Sequence, residues 1–262
     1  MERITSRQNA HFKQARKLAE SARERSKSQL ILMDGTRLIR AYAERFGLED
    51  STLLISETGV NRPDVRQILE TSPPQHLYLL PEELFAEIAQ VETPEGITAI
   101  AGIPRVESNT SDDFRILLDG IQDPGNLGAL LRTGAAAGAT SACIAKGCAD
   151  VWSPRSLRGG MGAQFVLPVR ERVDLEIALT GFSGVIVATS PRAKLSIYDV
   201  DLCGPVAMIF GSEGRGLRDD VSALANQVVH IPMAGKVESL NVAAAAAICC
   251  FERLRQVKAA IR

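Results

Sequence analysis

The sequence predicts an α/β protein in two parts: a small N-terminal unit and a larger unit on a mostly parallel sheet. Three observations carry this reading. Helical and strand patterns alternate along nearly all of the 262 residues. Strands of the second half are short, unbroken apolar runs, as expected where both faces of a sheet are covered. Between the halves, RVESNTSDD (105–113) is polar and without period, a linker composition. The expected units are therefore 1–106 and 107–262.

Taken in order, residues 9–26 read as polar helix and SQLILM (28–33) as a strand. TRLIRAYAERFG is an amphipathic helix closed by Gly47. STLLIS, QHLYLL and ITAIAGI (97–103) are strands, with RPDVRQILE and PEELFAEIAQ as the helices among them. In the second half, RILLD (115–119), SACIA, FVLPV, GVIVATS, PVAMIF and QVVHIP are the expected strands. The last helix holds five consecutive alanines, 243–247. Alanine favours helix but buries little area, so such a run implies a close-packed neighbour.

Composition narrows the functional classes. An apolar fraction of 45% is enough for a real core. The net charge of −1 gives no global nucleic-acid signature. Locally, residues 1–30 carry eight Lys or Arg against Glu2, Glu20 and Glu24, a balance of +5. That segment is either a solvated helical face or a phosphate-contacting arm. Five cysteines without a C-x-x-C pair indicate neither a disulfide framework nor a zinc site, so no metal is expected. There is no signal-peptide pattern and no apolar run of membrane-spanning length, and a reducing cytoplasm is the expected location.

Ligands of open parallel sheets bind at the carboxyl ends of strands, so the loops there matter most. Three stand out. In LLDGIQDPGNLGALLRTGAAAGA (117–139), Asn126 is placed to cap the following helix, and Arg132 lies within two turns of it. Arg132 is open to a plainer reading, a side chain that snorkels to the surface. In VAMIFGSEGRGL, glycines 211, 214 and 216 permit positive φ and close backbone approach around Glu213. Their spacing matches neither the dinucleotide fingerprint nor a Walker loop. In IPMAGKVESLN, Ser239 or Asn241 is a candidate cap for the alanine helix.

Together the three stretches DPGNLGALLRTGAAAGA, MIFGSEGRGL and IPMAGKVESLNVAAAAAI resemble the signature motifs of the SpoU (TrmH-like) family of RNA 2′-O-ribose methyltransferases, in order and in spacing. ITSRQNAHFKQARKL, LILMDGTRLI and ETPEGITAIA resemble the substrate-binding domain that often precedes that catalytic domain. Asp34 is a departure where relatives usually have Glu, and Gly160 another where a serine commonly sits.

The resemblance implies a SPOUT-type domain with a C-terminal trefoil knot, which general chain rules would not select. It implies S-adenosyl-L-methionine as cofactor, held by Gly211, Ile231 and Leu240, with Thr189 and Met233 in the pocket wall. Asn126, Arg132, Glu213, Ser239 and Asn241 match the family's catalytic positions. A homodimer with the active site at the subunit interface is implied as well, with the alanine helix packed tightly against its own sheet and against the second subunit. The resemblance implies that Arg132 activates the ribose hydroxyl, but arginine is a poor base, so orientation of the hydroxyl or an adjacent phosphate is an equal reading. RNA contacts are expected from Arg7, Lys13, Arg16 and Lys17, and from Arg158. The two-domain layout favours 23S ribosomal RNA as substrate. Transfer RNA, a catalytically silent RNA-binding relative and a nucleotide-cofactor enzyme are the alternatives.

Overall fold

The computed structural model describes residues 1–107, 113–212, 214, 216–235 and 237–260. Two compact units emerge, Met1–Arg105 with Trp152–Phe165, and Val106–Val151 with Val166–Arg262. The stretch SPRSLRGGMGAQF thus packs with the first unit, although it lies within the second half of the sequence.

The first unit runs β1 (Glu2–Arg3), α1 (Ala10–Glu20), α2 (Ala22–Ser28), β2 (Leu30–Asp34), α3 (Thr36–Phe46), β3 (Thr52–Ser56), α4 (Pro63–Thr71), β4 (His76–Leu80), α5 (Glu82–Ile88) and β5 (Ile97–Gly102). Its sheet has the order β1-β4-β3-β5-β2, with β5 antiparallel to both neighbours. The single helix expected over 9–26 is two helices, because Ser21 takes an extended conformation and caps α2 through its hydroxyl. Phe12, Leu18, Leu84 and Phe85 bury one face of the sheet together with Leu32, Leu54 and Leu80.

A local device fixes α3. The helix begins after Gly35 without a side-chain cap of its own. Glu95, from the ETPEG segment, receives both the Thr36 amide and the Thr36 hydroxyl at 2.6 Å. Those bonds hold the Glu95 carboxyl below its usual pKa. DGT and PEG, far apart in sequence, meet through this contact.

The second unit contains β6 (Phe114–Leu118), α6 (Pro124–Ala136), β7 (Ser141–Ala145), β8 (Val169–Val173), α8 (Leu175–Leu179), β9 (Val185–Thr189), β10 (Leu195–Ser196), β11 (Val206–Phe210), α9 (Asp219–Ser222), β12 (Gln227–His230) and α10 (Val242–Ala260). Helix α7 (Pro154–Gly160) belongs to the first unit. The seven-stranded sheet has the order β10-β12-β9-β11-β6-β7-β8, and every pair is parallel. Alternation splits its side chains. Leu117, Ile209 and Ala188 meet α8 on one face. On the other, Ile116 lies so close beneath α6 that a Cβ on Gly134 would sit 2.6 Å from its Cδ1.

Two expectations need correction here. FVLPV is not a strand: Phe165 closes a 3-10 turn of the first unit, and the strand β8 starts at Val169. Its edge position explains the miss, since VRERV is charged and mostly exposed rather than apolar. The alanine helix α10 packs chiefly on α6 rather than directly on the sheet. Val242, Ala246, Cys249 and Cys250 form its buried face, and burial pushes the Cys249 thiol up to about 12.

Candidate active site

Sheet order decides where the site lies. Strands β12, β9, β11 and β6 are consecutive neighbours running in one direction, so their carboxyl ends share one edge. The loops leaving β6, β9, β11 and β12 therefore converge there. All three motif loops are among them, with Thr189 ending β9.

The β6 loop leads straight into α6. Asp123, not Asn126, is the N-cap: its carboxylate accepts the Asn126 amide at 2.9 Å. That corrects the expected cap and frees the Asn126 side chain, whose Oδ1 accepts a hydrogen bond from Asn241 Nδ2 at 3.1 Å. Asn241 is the cap of α10, its Oδ1 accepting from Ala243 at 2.9 Å and Ala244 at 3.4 Å. Motifs one and three thus meet through two carboxamides.

The β11 loop is tight. Ser212 and Gly216 exchange both backbone hydrogen bonds, at 3.1 and 3.0 Å. Gly211 is buried in that turn, where an added Cβ would lie 2.5 Å from the Gly216 carbonyl carbon. Only glycine tolerates that approach. At the loop's exit, Arg218 Nε reaches both oxygens of Asp119 at 3.2 Å, and Asp119 is almost wholly buried at the end of β6. This bond raises the Arg218 guanidinium pKa. Glu213 lies outside the described residues.

After β12 the chain has neither turn nor ladder hydrogen bonds among the described residues 233–235 and 237–240. Ile231 is half-buried, while Met233 and Leu240 are exposed at 37% and 38%. Ser239 is exposed as well. Apolar side chains beside open backbone groups suit an adenosine whose edge is read by amides and carbonyls. The chemistry of these residues therefore fits S-adenosylmethionine.

Arg132 is exposed on α6 and has no hydrogen bond or ion pair among the described residues. It stands about 9 Å along the helix from Asn126 and about 120° around it. The structure therefore brings Asn126 and Asn241 together but leaves Arg132 apart. In the first unit, Arg7 is engaged by Glu87 at 2.7 Å and Arg16 by Glu20 at 3.9 Å, whereas Lys13 and Lys17 are exposed. Arg158 donates to the Gln90 carbonyl at 3.2 Å. At Gly160, the buried Gln164 carboxamide occupies the space a Cβ would need. Sequence reading missed Asp119 and Arg218 as partners, since 99 residues separate them.

The model of the SpoU rRNA methylase family matches residues 113–251, more than half of the chain. The chain belongs to the SpoU rRNA methylase family. An MRM3-like substrate binding domain matches residues 9–99 ahead of it. An uncharacterised tRNA/rRNA methyltransferase of Synechocystis is 34% identical, over 98% of this chain and 95% of its own. The 23S rRNA (guanosine(2553)-2′-O)-methyltransferase RlmP of Bacillus subtilis is 30% identical, over 96% and 98%. Among solved structures, the SpoU methyltransferase AviRb of Streptomyces viridochromogenes in complex with AdoMet superposes with a TM-score of 0.86 at 28% identity, covering 95% of this chain and 98% of that one. SpoU membership accounts for the parallel sheet and for the convergence of the three motif loops.

Proposed function

We propose that this protein transfers a methyl group from S-adenosyl-L-methionine to a ribose 2′-hydroxyl of 23S ribosomal RNA, as a cytoplasmic homodimer. The observation that carries the reading is the Asn126–Asn241 hydrogen bond, which joins motifs one and three. No helix among the described residues is long and apolar enough to cross a membrane.

Bound S-adenosylmethionine supplies an electrophilic methyl group whose C–S bonding pair leaves with sulfur. The protein's task is then to align the 2′-oxygen and let its proton go. Gly211, Ile231, Met233 and Leu240 wall the cofactor, with Thr189 at the end of β9. Asn241 is fixed at both ends of its carboxamide, by the α10 amides and by Asn126, so it presents a set orientation to the ribose. Ser239 lies two residues before it, with its hydroxyl exposed. Arg132 acts as a hydrogen-bond donor to the 2′-oxygen or an adjacent phosphate rather than as a base, because arginine side chains in general are poor bases. Its positive charge favours loss of the hydroxyl proton to water as the O–C bond forms.

The position of Arg132 supports the dimer. A guanidinium a third of a turn away from Asn126, free among the described residues, is poorly placed for the ribose of its own copy. In the proposed dimer it serves the ribose bound to the second copy. The N-terminal unit contributes RNA affinity through Lys13 and Lys17, with Arg7, Arg16 and Arg158 already held by protein partners. Aromatics are only 5% of residues, which favours backbone and shape recognition over base stacking.

The test is transfer of labelled methyl from S-adenosylmethionine to purified RNAs. The reading predicts label in 23S ribosomal RNA, within dinucleotides that resist alkali because the 2′-oxygen is blocked. Label confined to transfer RNA, or to bases, contradicts it.

A further inference from the structure

The pairing of Asp119 with Arg218 points beyond the motif residues. We infer that Arg218 is a positioning residue for cofactor binding, acting through the Gly211 turn rather than by touching the reacting atoms. This rests on the function proposed above.

Asp119 closes β6, and its side chain is 5% exposed, so its charge sits where an unpaired carboxylate is unfavourable. Arg218 supplies Nε to both oxygens at 3.2 Å. The arginine itself is 61% exposed, so its packing contributes little and its ion pair is what fixes it. A second carboxylate, Asp220, holds the Arg218 Nη1 at 3.3 Å.

What the pair fixes is the turn between. After β11, Ser212 and Gly216 pair through both backbone hydrogen bonds, and Arg218 follows Gly216 by two residues. The entry is tied to β6 as well, since the Asp119 amide donates to the Phe210 carbonyl at 2.9 Å. Gly120 also lies near the turn: a Cβ added there would lie 3.5 Å from that of Ser212. The turn carrying Gly211 is therefore anchored to motif one at both ends. Its entry is anchored by the ladder; at its exit the Asp119–Arg218 pair adds to the packing of Leu217 and Val221. Without the pair, the backbone around Gly211 gains freedom that cofactor binding must remove.

Calorimetric titration of S-adenosylmethionine into wild type, Arg218→Lys and Arg218→Met tests this, together with kcat and KM for each. Arg218→Met is expected to weaken cofactor binding by about tenfold or more, with kcat at saturation within about threefold of wild type. Arg218→Lys, which keeps the charge, is expected to recover most of the affinity. In Asp119→Asn, the further change Arg218→Met should have little added effect. Equal cofactor affinity in wild type and Arg218→Met overturns the inference, as does a lowered kcat with unchanged KM. Loss of RNA affinity alone would make Arg218 an RNA contact and likewise overturn it. A wild-type protein that binds no S-adenosylmethionine would remove the proposed function itself, a result distinct from all of these.

Discussion

Asn241 donates from Nδ2 to Asn126 Oδ1 at 3.1 Å while its own Oδ1 accepts from the first amides of α10. One carboxamide thus serves helix stability and site geometry at once, and two substitutions separate these roles. Asn241→Ala removes both, so stability should fall by about 1 kcal/mol, the usual loss for a cap. Asn241→Asp keeps the cap but loses the donor to Asn126, so stability should stay within about 0.5 kcal/mol. Methyl transfer should drop in both variants. Urea unfolding and initial rates measure the two effects. Full activity in Asn241→Asp would show that the Asn126 contact does not matter to the reaction.

Arg132 makes the opposite prediction about stability. It is exposed and unpaired among the described residues, so Arg132→Ala should shift stability by less than about 0.5 kcal/mol. Methyl transfer should fall by on the order of 100-fold, as for loss of a donor to a developing charge. If Arg132 serves the partner copy, mixing Arg132→Ala with Asn241→Ala should restore activity, because one mixed site keeps both groups. Mixed dimers that stay inactive would place both residues in one copy's site.

The alanine helix gives a paired test of packing. Ala246 is 1% exposed on the face of α10 that meets α6, whereas Ala244 is exposed. Ala246→Leu overfills that contact and should destabilise by about 1–3 kcal/mol. Ala244→Leu should leave the fold unchanged and, if the proposed dimer uses this exposed face, weaken self-association. Thermal melts and sedimentation distinguish them. Equal effects of both on stability would contradict the assignment of faces.

Asp34 predicts a pH dependence in the N-terminal unit. Burial raises its carboxyl pKa, against a bond from the Gln90 amide and the charge of Arg158. An acid whose folded pKa lies above its unfolded value of about 3.9 lowers stability as pH rises from there through the folded pKa. Asp34→Asn removes that penalty. It should stabilise the protein near pH 7, with the gain vanishing below about pH 4. A gain that persists in acid would mean that charge is not the cause.

Much of this was legible in the sequence because local rules and tertiary needs agree. Buried parallel strands such as SACIA, VIVAT and VAMIF announce themselves as apolar runs, and each strand lies within a residue or two of its run. The exposed edge strand VRERV lacked that signal. The three motif loops could be placed at strand ends from the sequence, but their meeting depends on sheet order, which no local pattern encodes. For the same reason Asn126 reads as a cap until Asp123 is seen to take that role. Asp119 with Arg218, and Thr36 with Glu95, are pairs at long separation in the chain. The assignment of 152–165 to the first unit likewise depends on packing rather than on composition.

The central claim is a 2′-O-methyl mark on 23S ribosomal RNA. Mapping ribose methylation across ribosomal and transfer RNA, from cells with and without this gene, tests it most directly. The account predicts that one 23S position loses its 2′-O-methyl group, and regains it with wild-type protein but not with Arg132→Ala. An unchanged 23S pattern, with a mark missing from transfer RNA instead, would contradict it.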